Sequence, residues 1–221
     1  MRKMKINYQI EMEREIAKIR ASGARPKLLL HSCCAPCSSY VLEVLNTVFD
    51  LTVFYYNPNI SPREEFEYRA DEQIRLVRSM PLEGEVRVIR GDYDEAAFEN
   101  LSKGLEDAPE GGERCTRCFR LRLGKTARKA AEEGFDYFTT TLSISPLKDA
   151  QRLNAIGGEL AETFGVPYLF SDFKKKNGYK RSCELSAQYG LYRQDYCGCI
   201  YSKLERERQM QAANTGMSPE K

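Results

Sequence analysis

The chain has no long apolar run: stretches such as Leu28 to Leu30 fall far short of the roughly 20 residues a membrane-spanning helix needs. A secretory signal is also missing, because MRKMKINYQIEMEREI places acidic residues where an apolar stretch would stand, and no small-residue cleavage site follows. The expected compartment is the cytoplasm. Net charge is only +2, from 34 basic and 32 acidic residues, so there is no global field of the kind that coats nucleic acid, and any RNA contact must use a local patch. There is one histidine, His31, and no G-x-S-x-G elbow, which makes Ser-His-Asp hydrolysis a poor reading. The chain also has no G-x-G-x-x-G, Walker A or SGG-x-DS loop, so no nucleotide cofactor is supported. With 42% hydrophobic and 30% charged residues in 221, the composition is that of an ordinary globular domain and excludes disordered and collagen-like classes.

What the chain does have is cysteine. Eight are present, and seven fall in three tight groups: Cys33, Cys34 and Cys37; Cys115 and Cys118; Cys197 and Cys199. In a reducing compartment stable disulfides are rare, so clustered thiols point to metal binding or redox catalysis rather than stapling.

Apolar residues at Ile6, Ile10, Ile16 and Ile19 recur at helical spacing and stop at Ser22-Gly23. From there strands and helices alternate. Strands are expected at 27–31, 51–56, 85–89, 135–142 and 167–170. Helices are expected after the SCCAPC loop with Ser38 as cap, over Pro62 to Met80, through Ala131, and over Leu147 to Phe164. Two helices around a cysteine-bearing turn follow, and AANTGMSPEK reads as a frayed tail. This alternation predicts an α/β fold: a Rossmann-like open, mainly parallel sheet of about five strands flanked by helices, with a helical C-terminal extension. The expected divisions are an N-terminal helix (1–23), an α/β catalytic domain carrying the cysteine-rich site (24–203), and a helix end with tail (204–221). In such sheets ligands bind beyond the carboxyl ends of the strands, where SCCAPC, SISPLK and SDFKKKNGY all fall.

Cys34-x-x-Cys37 and Cys115-x-x-Cys118 each place thiolates a turn apart at a helix entry, as half-sites for a soft metal. Structural zinc and a cubane iron–sulfur cluster both accept four such ligands, and spacing alone does not choose between them. Adjacent Cys33 and Cys34 can face one centre only if their loop is irregular. Gly198 between Cys197 and Cys199 permits the turn that a strained, easily reduced disulfide requires, which suits a redox-active pair; ligation of a second metal is the alternative. Cys183 reads as buried thiol filler, and His31 as a hydrogen-bonded structural residue. Lys174, Lys175, Lys176, Lys180 and Arg181, interleaved with Phe173 and Tyr179, form a candidate contact for single-stranded RNA, and Arg114, Arg117, Arg120 and Arg122 add charge around the second cysteine group.

HSCCAPCSSY, FYYNPNISP, GDYD, ERCTRCFRLRL, TTTLSISPLKDA, SDFKKKNGYKRS and LYRQDYCGCIYS, in this order across residues 27–203, closely resemble the QueH family of epoxyqueuosine reductases. The resemblance implies a cytoplasmic enzyme that reduces the epoxide of epoxyqueuosine in tRNA to the alkene of queuosine with two electrons from an external donor. It implies a 4Fe-4S cluster on Cys33, Cys34, Cys115 and Cys118 and a redox-active pair at Cys197 and Cys199, with Cys37 as an alternative ligand or the ligand of a second iron. Cobalamin is not implied. Tyr196, Asp195 and Arg193 are candidates for proton supply or oxyanion support. Two rival readings are a zinc-stabilised RNA-binding protein and a general thiol-disulfide oxidoreductase.

Overall fold

The structure, a computed structural model, describes residues 6–215. Its elements are α1 (Tyr8–Ser22), β1 (Lys27–His31), α2 (Ala35–Leu45), β2 (Asp50–Tyr55), α3 (Arg63–Ser79), β3 (Arg87–Arg90), α4 (Glu95–Ser102), α5 (Glu113–Glu132), β4 (Tyr137–Thr140), a 3-10 turn (Thr141–Ile144), α6 (Ala150–Phe164), α7 (Gly178–Gln188) and α8 (Ile200–Thr215). The strands form one sheet in the order β3-β2-β1-β4, with every pairing parallel. Parallel neighbours need crossovers, and the intervening helices supply them.

The run Leu28-Leu29-Leu30 explains why the sheet is covered on both faces. Side chains alternate along a strand, so Leu28 and Leu30 pack with Met12, Ile16, Val41, Leu42 and Leu76 from α1, α2 and α3, whereas Leu29 packs with Leu123, Phe138, Leu153 and Ile156 on the α5 and α6 side. All three leucines are fully buried, each contributing about 1.5–3 kcal/mol of apolar transfer. Helix α1 ends as expected at Gly23, whose left-handed φ of 68° closes the helix with a bond from its N–H to the Arg20 carbonyl.

Four local expectations change. The fifth strand, 167–170, shrinks to a single bridge between Tyr168 and Phe138. Two backbone bonds form it, from the Phe138 N–H to the Pro167 carbonyl at 3.0 Å and from the Leu169 N–H to the Phe138 carbonyl at 2.9 Å. Beyond them Pro167 has no N–H to donate, Thr139 donates its hydroxyl to the Leu169 carbonyl at 2.8 Å, and Asn154 both donates to and accepts from the Ser171 backbone. Helix α2 begins at Ala35 rather than after Ser38, because Pro36 suits a first turn and leaves Cys34 at the N-cap. Helix α6 begins at Ala150, capped by Asp149, whose carboxylate accepts from the N–H groups of Gln151 and Arg152. Residues 145–149 thereby become a loop at the end of β4. The C-terminal helix persists through Thr215, so AANT is helical rather than frayed, and residues 216–221 of the expected tail lie outside the described residues, as do 1–5. GDYDEAAFENL, left unassigned by periodicity, forms α4 with Asp94 as its cap.

Among the described residues no helix is long and apolar enough to cross a membrane. The chain turns outward from β1 to β2 and β3, then returns to β4 on the other side of β1, so the topological switch point lies between the carboxyl ends of β1 and β4.

Candidate active site

The Cys33 loop follows β1, and Thr141 follows β4, so the switch point brings them together. The Cys33 N–H donates to Thr141 Oγ1 at 3.2 Å, and its Sγ lies 3.4 Å from the same oxygen. The early start of α2 places Cys34 at the cap and Cys37 in the first turn, three residues on and so on the same side of the helix. As a result the three sulfurs of Cys33, Cys34 and Cys37 all lie within 4.8 Å of one another and can hold a metal ion. Among the described residues no other three His, Cys, Asp or Glu ligand atoms come so close. The structure therefore gathers Cys37 with the adjacent pair more tightly than it gathers Cys115 and Cys118.

Cys115 and Cys118 lie on the first turns of α5. Cys115 Sγ accepts from the Gly111 N–H at 3.2 Å, and Cys118 packs in one buried cluster with Cys199 and Phe98. Cys197 and Cys199 are free thiols, as are the other six cysteines. Their turn needs Gly198, which has φ 110° and whose missing Cβ would fall 2.9 Å from both Arg69 and Ile60. The Ser61 N–H holds the Gly198 carbonyl at 3.0 Å, and Arg69 donates to the Cys197 carbonyl at 3.4 Å while its guanidinium covers the Tyr196 ring at 5.2 Å.

Cys33, Cys34, Cys37 and Cys197 line a cavity of about 270 Å³ with Arg69, Arg122, Lys148, Glu110 and residues 193–196. Hydrogen bonds from Cys34 and Cys37 hold the Cys33 thiol well below its ordinary value, with help from Arg122 and Lys148. Cys34 is pushed up to about 12, chiefly because it donates to Cys33. The second group repeats this pattern: a hydrogen bond from Cys199, then Lys148 and Arg122, lowers Cys197, while Cys199 is raised. Burial pushes Cys118 up to about 11 and raises Cys115. Two thiols made more acidic than usual thus share the cavity, each accepting from neighbouring thiol donors.

Arg122 supplies their counter-charge. It is 1% exposed, donates to Asn57 Oδ1 at 2.5 Å and lies 4.0 Å from Cys118 Sγ, and its Nε has no partner. Among the described residues no carboxylate pairs with it. A buried guanidinium without a carboxylate requires another anion, and its electrostatic neighbours are Cys118, Cys33 and Cys197. A soft thiolate donor set around an uncompensated cation fits an anionic sulfur-ligated metal group.

Several sequence expectations need correction. Arg122 does bring charge to the second cysteine group, but from a buried position at the site, and Arg114 is buried and donates to the carbonyls of Leu105 and Glu106. Phe173 is fully buried in the core, so it cannot stack a base. Lys174 pairs with Asp172, Lys176 with Glu13, and Arg181 with Glu43, so most of the basic run is neutralised within the fold. Tyr179 does reach the cavity, beneath Arg193 at 5.8 Å. Asp195 pairs with Arg206, and Cys183 is half-buried on α7 rather than buried. The NPNISP stretch after β2 brings two further residues to the site. Asn57 orients Arg122, and Asn59 Nδ2 stands 3.9 Å from Cys197 Sγ; two asparagines at the carboxyl end of a strand were the available signal.

His31 is structural, as expected. It is fully buried; its Nε2–H donates to the Tyr56 carbonyl at 3.1 Å, and Nδ1 accepts from the Thr140 hydroxyl at 2.8 Å. Burial first, then Arg122, lowers its pKa to about 3. The unfolded value is about 6.5, so the unfolded chain binds the extra proton between these limits, and stability present above pH 6.5 is lost as pH falls toward 3. At about 1.4 kcal/mol per pH unit the loss reaches roughly 5 kcal/mol. Urea unfolding of wild type and His31→Gln at pH 7 and pH 4.5 should show a shallower acid dependence in the variant; parallel acid dependences would contradict this account.

A sequence model described as Epoxyqueuosine reductase QueH matches residues 28–205. The chain belongs to the QueH family. Relatives named Epoxyqueuosine reductase QueH include one from Staphylococcus epidermidis, 41% identical over 93% of this chain and 88% of its own length. One from Streptococcus pyogenes serotype M1 is 44% identical over 90% of this chain and 78% of its length. One from Thermotoga maritima is 36% identical over 81% of this chain and 91% of its own. The matched span contains β1 through the C-G-C turn, hence all eight cysteines.

Proposed function

We propose that this QueH-family chain is a cytoplasmic epoxyqueuosine reductase that converts the cyclopentane epoxide of epoxyqueuosine in tRNA to the alkene of queuosine. The observation that carries the reading is the thiol-lined cavity at the switch point of a chain belonging to this family. Cys33, Cys34, Cys115 and Cys118 are the proposed ligands of a 4Fe-4S cluster, with Cys37 available to the same centre or to a second iron. Such a cluster supplies one-electron transfer or Lewis acidity where it binds.

The chain's own part is a dithiol couple and a charged pocket. The epoxide consumes two electrons and two protons, breaks its C–O bonds, and yields alkene and water. Cys197 and Cys199 supply that equivalent by passing from two thiols to a disulfide, and an external reductant returns the pair to thiols. Asn59, Ser61 and Arg69 keep the C-G-C turn against the cavity, and the exposed Tyr179 at its mouth offers a face for an unpaired base. Family membership favours this over zinc-stabilised RNA binding or general thiol-disulfide exchange.

Anaerobic purification followed by iron and sulfide analysis, and nucleoside analysis of epoxide-bearing tRNA after incubation with a low-potential reductant, tests the reading. Conversion of epoxide to alkene by a brown, iron-containing protein is expected. A colourless zinc protein without conversion overturns it.

A further inference from the structure

The reaction proposed above assigns no side chain of this protein to the epoxide oxygen, which gains negative charge as its C–O bond opens and needs a hydrogen-bond donor in the cavity. A negative oxygen requires a donor that is cationic or strongly polar, faces the cavity and is not already committed to the fold. The lining offers few. Arg69 is held by Glu65 at 2.6 Å, the Cys197 carbonyl and the Tyr196 ring. Arg122 is fully buried between Asn57 and the sulfurs. Arg193 donates to the Ser186 hydroxyl at 3.0 Å and covers Tyr179. Asp195 is paired with Arg206, and Glu110 brings the wrong sign.

Lys148 remains. It lies on the loop that the late start of α6 leaves open, lines the cavity, and is half-buried. Among the described residues its ammonium makes no hydrogen bond and no ion pair. Its loop is fixed by the Lys148 N–H, which bonds to the Ser145 carbonyl at 3.2 Å, and by the Asp149 cap that follows. It shares the cavity lining with Cys33, Cys37 and Cys197, whose charges act on the ammonium, with Arg122 opposing.

Resting on the reductase reading, we propose that Lys148 is a catalytic residue whose ammonium hydrogen-bonds the epoxide oxygen and stabilises the negative charge that builds there as the C–O bond breaks. The lysine keeps its own proton across the turnover. The Cys197–Cys199 pair supplies two electrons as it closes to a disulfide; Cys199 brings one proton, solvent brings the second where Cys197 is already ionised, and the oxygen leaves as water.

The test compares wild type with Lys148→Met and Lys148→Arg, each assayed for kcat and KM on epoxide-bearing tRNA, for Kd on the same tRNA, and for metal content and thermal melting. Lys148→Met is expected to lose about 100-fold or more in kcat, as removal of one oxyanion donor does, with Kd, metal content and melting temperature unchanged. Lys148→Arg, which keeps the charge, should recover at least about tenfold of that loss. A Lys148→Met enzyme with unchanged kcat overturns the inference, as does a loss confined to KM and Kd, which would make Lys148 a phosphate contact. An arginine variant as slow as the methionine variant overturns it too. Wild type that never converts the epoxide fails the reductase reading itself, and with it this inference; wild-type turnover with an indifferent Lys148 fails this inference alone.

Discussion

Cys33→Ser is expected to purify with its bound metal lost and with turnover reduced by roughly a thousandfold or more, equivalent to about 4 kcal/mol of transition-state stabilisation. Cys33 belongs both to the sulfur triad that closes within 4.8 Å and to the ligand set proposed for the cluster, so its loss removes a ligand from both arrangements. It is also the thiolate of its group, fed by Cys34 and Cys37 and facing Arg122 and Lys148. Serine keeps the volume but presents a hard oxygen whose proton stays on at neutral pH, a poor partner for a soft metal. Metal analysis and the tRNA assay read the two effects together. Cys183→Ser is the control, because that thiol is half-buried on α7, outside every sulfur group, and its loss should leave both readings unchanged. A Cys33→Ser protein that retains its metal and half its turnover would remove the basis of the proposed centre.

Arg122→Met carries the second large effect, on stability. Deleting one side of a buried charge constellation leaves the other side uncompensated, and such losses run to about 3–5 kcal/mol. Here the deleted guanidinium is 1% exposed and serves the thiolates of Cys33 and Cys197, with no carboxylate to share the role. Asn57 would lose its partner as well, leaving a buried amide oxygen unpaired. For a chain of this length about 3 kcal/mol corresponds to a fall of roughly 6–12 °C in melting temperature. The same variant should slow alkylation of Cys33 at neutral pH, because the thiol then holds its proton more tightly. A melting temperature within about 2 °C of wild type, with alkylation unchanged, would show that the guanidinium is not the counter-charge.

The parallel sheet was legible because its signal is local. KLLLH and LTVFYY are short apolar runs between turn signals, and strands buried on both faces read that way whatever the rest of the chain does. Gly23 ended α1 as expected, since a left-handed residue stops a helix without help from distant contacts. The strand at 167–170 shortened for the opposite reason: its backbone pairs with β4 only at Phe138, and how far the pairing runs depended on distant side chains, Thr139 on the Leu169 carbonyl and Asn154 on the Ser171 backbone. Helix starts shifted at α2 and α6 because Pro36 and Asp149 outcompeted nearer-looking caps.

The cysteine groups and family motifs identified the chemistry and its approximate place, at the carboxyl edge of the sheet. The basic run 174–181 shows where that reading stops. Lys176 and Arg181 looked free in sequence, yet Glu13 and Glu43, more than a hundred positions away, neutralise them.

From its sequence alone this protein is a parallel α/β chain of the QueH family with thiols in three groups, because apolar period, turn residues and motif order are properties of short stretches. Only the tertiary structure decided that Cys37 closes on Cys33 and Cys34, that Arg122 is buried without a carboxylate, and that Lys148 faces the cavity unpaired. Charge pairing and sulfur convergence depend on which distant residues the folded chain brings within a few ångströms, and no local pattern encodes that.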